Sequence, residues 1–202
     1  MSIAKVQIIR KAILGVAVLI GVLMFAFTSS SHPSGKPAHE MIEWAGIAAI
    51  IVCILGRTWA SLYIGGRKIE QFVRNGPYSV TRNPLYLFSI VGAAGAGAQL
   101  GSALPALIFG LLAWIVFHFV VLQEESLLAR LHGAEFEAYM TTVPRYLPNP
   151  RLWGDSPTLT VMPPKMVRTF ADATVLLVSV PLAESFERLQ NIGVLPVLLH
   201  LS

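Results

Sequence analysis

Charged residues are scarce in this chain. Asp, Glu, Lys and Arg make up only 13% of its 202 residues, and 54% of the residues are hydrophobic; soluble domains carry about 25% charged residues. The chain has one cysteine, Cys53, inside an apolar run, which excludes an intrachain disulfide, a cysteine-based zinc site and a dithiol redox pair. The composition therefore predicts an integral membrane protein.

Clustered positive charge is also missing. The formal net charge is +4 and the pI is near 9.5, but the fifteen Lys and Arg residues are scattered beside apolar runs. Nucleic-acid-binding domains concentrate such residues into a patch or stripe. We therefore expect no nucleic-acid partner, and we expect membrane lipids to surround the protein.

Long apolar runs recur along the sequence. A membrane span needs about 20 residues, and we predict four spans. The first is residues 12–28, an uncleaved anchor, because this run is longer than the signal-peptide core of about 7 to 15 residues. The second is residues 41–63. The third and fourth come from the 39 uncharged residues 85–123, with a turn near residues 99–105. The predicted fold class is thus an all-α polytopic membrane helix bundle.

Basic residues are distributed unevenly around these spans. Three precede the first span, five lie in residues 57–84, which run from the end of the second span to the start of the third, and the loop 29–40 contains only Lys36. The positive-inside rule then places the N-terminus, residues 57–84 and everything after Gln123 in the cytosol. The expected location is a bacterial inner membrane, or the endoplasmic reticulum in a eukaryote.

Two polar motifs bracket the predicted hairpin of spans three and four. Residues 76–86 read GPYSVTRNPLY before it, and residues 123–128 read QEESLL after it. Both ends of a hairpin lie on the same membrane face, so Arg82 is expected near Glu124 and Glu125. This arrangement predicts a site at the lipid boundary.

Shorter amphipathic segments complete the predicted organisation. Residues 67–74 are typical of an interfacial helix, His132-Gly133 should end the fourth span, and residues 136–143 should form a helix that ends at Pro144. The proline-rich residues 148–164 predict a linker, and residues 167–201 predict interfacial or re-entrant helices with a Glu184 to Arg188 pair. We divide the chain into an N-terminal part (1–56), a central module (57–148) and a tail (149–202).

The two motifs together resemble a known family. Gly-Pro-Tyr, Arg82-Asn83-Pro84-Leu85-Tyr86, Glu124-Glu125 and a downstream Val-Pro are similar to the isoprenylcysteine carboxyl methyltransferase and phospholipid methyltransferase superfamily over residues 57–148. The resemblance implies a membrane enzyme that transfers a methyl group from S-adenosylmethionine to a lipid-like or prenylated small acceptor. It implies no metal.

Site residues follow from the resemblance by position. The catalytic candidates are Arg82 and Glu125: Arg82 to pair with a carboxylate, and Glu125 to take a proton if the acceptor is an amine. The implied cofactor-binding residues are Glu70, Gln71, Phe72, Val73, Tyr78, Asn83, Pro84, Leu85, Tyr86 and Glu124. A cofactor with a sulfonium, an ammonium and a carboxylate requires aromatic faces and both signs of charge, which this set supplies.

Two residues depart from the family pattern. Asn83 stands where many members have histidine; because an amide does not exchange a proton, we expect Asn83 to bind rather than to act as an acid or base. Val120 stands where prenylcysteine enzymes resembling this chain have an arginine that meets the acceptor carboxylate. The reacting group of the acceptor is therefore expected to be neutral or able to become so.

Two other functions remain open from the sequence. An NADPH-dependent sterol-type reductase shares a related Arg-His-Pro-Asn-Tyr block and a following Glu-Glu, although Leu85 stands where those enzymes have asparagine. A non-catalytic membrane scaffold or small transporter could retain the same residues. Arg57 and His118 lie within predicted spans; snorkelling of Arg57 and a hydrogen bond from His118 to a neighbouring helix are the simpler interpretations.

The charge asymmetry makes a testable topology prediction. After replacement of Cys53, a cysteine at position 34 should react with an impermeant thiol reagent added to intact cells. A cysteine at position 75 or 156 should react only after the membrane is permeabilised, because both positions are predicted to be cytosolic. Labelling at position 75 in intact cells would contradict the predicted topology.

Overall fold

The computed structural model describes residues 21–30, 36–64 and 72–201. Residues 21–27 are helical and lead into a short strand. The elements that follow are mainly helices, separated by short turns. In chain order they are β1 (Thr28–Ser30), α1 (Pro37–Ile64), α2 (Pro77–Val80), α3 (Pro84–Ala98), α4 (Ala103–His132), α5 (Ala134–Thr142), a 3-10 turn (Pro150–Leu152), α6 (Pro163–Thr174), a second 3-10 turn (Val175–Val178), α7 (Ser179–Asn191) and β2 (Leu199–Leu201). The all-α membrane fold class is confirmed.

Among the described residues, three helical runs are long and apolar enough to cross a membrane: α1, α4 and the continuous run Pro163–Asn191. The first two match the predicted second and fourth spans, whereas most of the predicted first span lies outside the described residues. The predicted third span is α3, which has only 15 residues and is therefore about 22 Å long. Residues 167–201 are predicted to form interfacial or re-entrant helices; the helical run found there, Pro163–Asn191, has 29 residues, so its length also permits a span.

The chain forms two compact units, and α1, α3 and α4 contribute residues to both. The first unit consists of Met1–Ile50, Gly92–Val116 and Leu176–Ser202. In it β1 pairs in parallel with β2, with Thr28 opposite Leu199. The side-chain amide of Gln190 donates to the backbone oxygens of Phe25, Ala26 and Thr28 at 3.1 to 3.4 Å. These bonds hold the C-terminal residues of the chain against residues 25–28.

Close packing of α1 against α3 in the first unit depends on two glycines. A Cβ on Gly46 would lie 2.7 Å from the backbone oxygen of Gly95, and a Cβ on Gly95 would lie 2.6 Å from that of Gly46. Only residues without a Cβ permit this approach of the two backbones. The turn from α3 to α4 falls at residues 99–102, as predicted. Gly101 in this turn has a φ of 64° and lies against the ring of His39.

The second unit consists of Ile51–Val91 and Phe117–Val175. Its core contains a buried cluster of Ala60, Tyr63, Val73 and Tyr78, and Phe136 of α5 is only 2% exposed. The aromatic ring of Phe72 packs against Phe136 and Tyr139 with both centroid distances at 5.4 Å. As predicted, α4 ends at His132, followed by Gly133 with a φ of 53°, and α5 ends before Pro144.

Two segments of the second unit differ from their predictions. The predicted interfacial helix 67–74 lies mostly outside the described residues, and residues 72–74 are not helical. The predicted linker contains residues that contact the core: Gly154 O accepts a hydrogen bond from Gly76 N at 2.8 Å, and Asp155 accepts one from the Tyr63 hydroxyl at 2.7 Å. Trp153 also stacks on Trp59. In the tail, the predicted Glu184 to Arg188 pair is present at 3.9 Å.

The Gly46 and Gly95 contact makes a stability prediction. Gly95→Ala should lower the free energy of unfolding by about 1 to 3 kcal/mol, because the new methyl group overlaps the Gly46 oxygen. Gly110→Ala is the matched control: its Cβ would meet only the Ala94 side chain, at 3.3 Å, and the gain in helix propensity offsets that contact. Thermal unfolding of both variants in the same detergent tests this, and equal midpoints would contradict it.

Candidate active site

The motif at residues 76–86 folds as a tight turn followed by a helix start. Gly76 has a φ of 60° and precedes the single turn α2, which Pro77 begins. The chain then extends through Thr81, and α3 begins at Pro84, where the backbone oxygen of Asn83 accepts a hydrogen bond from Leu87 N at 3.0 Å. A proline in the first helical position costs no hydrogen bond. The turn therefore places the side chains of Arg82, Asn83 and Tyr86 against Glu124 and Glu125 of α4.

Glu125 of α4 binds several partners from other segments. Its carboxylate accepts hydrogen bonds from Arg145 Nη2 at 2.8 Å and Arg145 Nε at 3.1 Å. The Asn83 amide donates to the other carboxylate oxygen at 3.3 Å. Arg82 Nε also lies 3.3 Å from that oxygen, as an ion pair without hydrogen-bond alignment. Because Glu125 is only 7% exposed, one buried carboxylate faces two guanidinium groups.

Backbone and side-chain bonds join the same segments. Arg82 N donates to Pro144 O at 2.9 Å, and Arg82 Nη1 donates to Met140 O at 3.3 Å. The Thr81 hydroxyl contacts the backbone oxygens of Arg145 and Tyr146 at 3.2 and 3.1 Å. The chain after α5 is therefore attached to the motif before α3 at several points.

Glu124 occupies different surroundings from its neighbour. Adjacent residues on a helix point about 100° apart, and Glu124 is exposed where Glu125 is buried. The Tyr86 hydroxyl donates to Glu124 Oε1 at 2.8 Å, and the Tyr86 ring lies 5.1 Å from the ring of Phe117. The result is an accessible carboxylate beside two aromatic rings.

Tyr78 has a buried hydroxyl with no hydrogen-bond partner among the described residues. Its backbone oxygen accepts a bond from the Tyr139 hydroxyl at 2.6 Å. Burial raises the pKa of Tyr78 above its ordinary range, and the nearby Tyr139, Tyr86 and Glu124 raise it further. Burial also raises the pKa of Tyr139, although Arg82 opposes this. Both hydroxyls therefore remain protonated hydrogen-bond donors at neutral pH.

The structure brings most of the predicted site residues together. Arg82, Asn83 and Glu125 share one network, and Tyr86 and Glu124 share a hydrogen bond. Pro84 is buried at the start of α3, Leu85 and Val73 pack with the Tyr78 cluster, and Phe72 packs on α5. Glu70 and Gln71 lie outside the described residues.

Two contacts of the network were missed in the sequence. Arg145 does not belong to the predicted site, yet it makes the shortest contact to Glu125. A basic residue directly after the helix-ending Val-Pro pair was the available signal. The Tyr146 hydroxyl lies 3.0 Å from His118 Nδ1, so His118 contacts the segment that follows α5.

Comparisons with known proteins agree with these motifs. A family profile described as phospholipid methyltransferase matches residues 44–135. The cobalt-zinc-cadmium resistance protein CzcN of Cupriavidus metallidurans is 31% identical over 172 residues, covering 85% of this chain and 79% of that protein. The nickel-cobalt-cadmium resistance protein NccN of Alcaligenes xylosoxydans xylosoxydans is 32% identical over 157 residues, covering 75% and 73%. No solved structure matches the chain.

The buried network makes a second stability prediction. Glu125→Gln should destabilise the protein by about 3 to 5 kcal/mol, because Arg82 and Arg145 would lose their shared negative charge. Glu135→Gln is the control, since Glu135 forms only an exposed pair with Arg74 and should change stability by less than about 1 kcal/mol. Thermal unfolding in detergent measures both. A Glu125→Gln protein as stable as the control would contradict the role assigned to this network.

Proposed function

Because this chain belongs to the phospholipid methyltransferase family, we propose that it transfers a methyl group from S-adenosylmethionine to a lipid-like or prenylated small acceptor at the cytosolic membrane interface. The observation that carries the proposal is the accessible Glu124 carboxylate, hydrogen-bonded to Tyr86 and lying beside the rings of Tyr86 and Phe117. A carboxylate among aromatic faces suits a positively charged ligand.

The residues of the site fit the proposed cofactor in three respects. Glu124 can accept a hydrogen bond from an ammonium group or from ribose hydroxyls. The rings of Tyr86 and Phe117 can face a sulfonium or an adenine. The Tyr78 hydroxyl is a buried donor that lacks an acceptor among the described residues, and such a group gains free energy when a ligand supplies one.

The two neighbouring carboxylates have different proposed roles. Glu125 already accepts hydrogen bonds from Arg145 and Asn83. Its carboxylate therefore has few lone pairs left to take a proton from the substrate that receives the methyl group. We therefore assign Glu125 a positioning role instead of the base predicted from the sequence. Arg82, which faces Glu125, positions the start of α3. Glu124 is the more accessible group for binding the cofactor and for accepting a proton from an amine.

Methyl transfer requires little from the protein beyond alignment of the methyl donor with the acceptor. When bound, S-adenosylmethionine supplies a methyl carbon already activated by its sulfonium. The cofactor would thus supply both the methyl group and the leaving group, S-adenosylhomocysteine, for a displacement by the acceptor. Tyr86 and Glu124 hold the charged end in place, and the apolar surroundings of Tyr78 exclude water.

The names of the two relatives suggest metal resistance as the physiological context of this activity. Both are called resistance proteins for divalent transition metals. Among the described residues there is no group of three or more His, Cys, Asp or Glu side chains that could hold a metal ion. We therefore propose that methyl transfer to a membrane component contributes to metal tolerance, and we assign no metal ligand to this chain.

Cofactor affinity tests the proposed function. Glu124→Gln should weaken binding of S-adenosylhomocysteine about tenfold to a hundredfold, because a charge-assisted hydrogen bond is worth roughly 1.5 to 3 kcal/mol. Unfolding should be unaffected, since Glu124 is exposed. Calorimetric titration of the purified protein measures the affinity, with Glu137→Gln on α5 as an exposed control.

Ligand choice separates the proposed methyltransferase from a reductase or a scaffold. S-adenosylhomocysteine should raise the thermal midpoint of the wild-type protein, whereas NADPH should leave it unchanged. Stabilisation by NADPH would favour the reductase. A response to neither compound would favour the non-catalytic scaffold and would contradict the proposal.

A further inference from the structure

Arg57 is a charged residue that the proposed site does not use. It lies in α1, seven residues before the helix ends at Ile64, which is about 10 Å along the helix axis. This helix is long and apolar enough to cross a membrane. Charged side chains in such helices are costly and usually serve a function.

The contacts of Arg57 leave most of its hydrogen-bonding capacity unused. Its Nη1 donates to the Ser89 hydroxyl of α3, and that hydroxyl donates to Leu85 O at 2.7 Å. The Nε–H of Arg57 is buried and has no acceptor among the described residues. A guanidinium group has five N–H donors, so a further acceptor could bind here without breaking the Ser89 contact.

Helix packing holds Arg57 at this position. The preceding residue, Gly56, packs so closely on α3 that a Cβ there would lie 2.4 Å from the Phe88 ring. Ser89 follows Phe88 and is only 6% exposed. The guanidinium therefore meets α3 at a fixed and largely enclosed position.

Within the described ranges 21–30, 36–64 and 72–201, the positive charge of Arg57 is not balanced by a neighbouring carboxylate. None of the ion pairs among the described residues includes Arg57. An unpaired charge in apolar surroundings carries a desolvation cost, which an anion held by charge-assisted hydrogen bonds would offset. The missing component is thus a negatively charged acceptor of hydrogen bonds.

We propose that Arg57 and Ser89 form a binding site for the anionic group, a phosphate or a carboxylate, of an amphiphile. Ser89 lies three residues after Tyr86, or about 4.5 Å along α3. The anion would therefore bind within one helical turn of the Tyr86 to Glu124 hydrogen bond. Identification of this amphiphile as the methyl acceptor rests on the proposed function, whereas the anion site itself rests on Arg57 and its contact with Ser89.

Binding of n-dodecyl phosphate to the purified full chain in a neutral maltoside detergent tests the site. Arg57→Gln should weaken this binding about tenfold to a hundredfold, and Arg57→Lys should retain part of it. Arg188→Gln is the matched control, because it removes the same charge from an exposed side chain of α7; its affinity should equal that of the wild type. Ser89→Ala keeps the charge and should weaken binding about twofold to tenfold.

The outcomes distinguish the site from general charge effects. Wild-type affinity in folded Arg57→Gln, or equal losses in Arg57→Gln and Arg188→Gln, would overturn the proposal. If Arg57→Gln does not fold, unchanged binding by both Arg57→Lys and Ser89→Ala would overturn it instead.

Two further experiments identify the source of the anion and test this inference separately from the proposed function. In nanodiscs of neutral lipid, competition by added phosphatidylglycerol would identify a membrane lipid as the ligand, whereas binding without competition would identify a separate amphiphile. S-adenosylhomocysteine should stabilise wild type and Arg57→Gln equally. Dodecyl phosphate binding that depends on Arg57, without any response to S-adenosylhomocysteine, would leave the anion site intact and contradict the methyltransferase proposal.

Discussion

The interaction between Glu125 and the two arginines determines the arrangement of the second unit. A single carboxylate on α4 contacts Arg82 before α3 and Arg145 after α5. Two guanidinium groups this close repel each other unless an anion lies between them. The backbone bond from Arg82 N to Pro144 O then fixes the spacing of the two segments. The turn, the hairpin and the segment after α5 therefore depend on one another.

This constraint also explains why two adjacent glutamates have different surroundings. The helical rotation between neighbouring residues means that when Glu125 points into the arginine network, Glu124 points elsewhere. Glu124 meets the Tyr86 hydroxyl and the nearby aromatic ring of Phe117. A buried, hydrogen-bonded carboxylate maintains the geometry, and the exposed carboxylate next to it is accessible to a ligand. In the proposed methyl transfer, Glu125 positions the surrounding segments and Glu124 binds the cofactor.

Much of this region could be predicted from the sequence because it depends on the hairpin. The uncharged residues 85–123 must turn, so the motifs on either side come together, and Arg82 lies beside Glu125. The helix ends at His132 and before Pro144 follow from local glycine and proline chemistry. The contribution of Arg145 could not be predicted, because it depends on where the chain returns after α5. Helices were predicted over residues 167–201, but the continuous run Pro163–Asn191 was not, since its length comes from joining three segments that are short when taken alone.

The sequence by itself determined the membrane class, the hairpin and the family, because apolar runs and motif spacing are local properties. Only the tertiary structure decided which carboxylate is buried, since one residue of helix rotation separates Glu124 from Glu125. It also decided the partner of Arg57, because the contact with Ser89 requires the close approach of α1 to α3 at Gly56. The side chains that a charged residue meets depend on the packing of helices distant in sequence, which residue spacing alone does not specify.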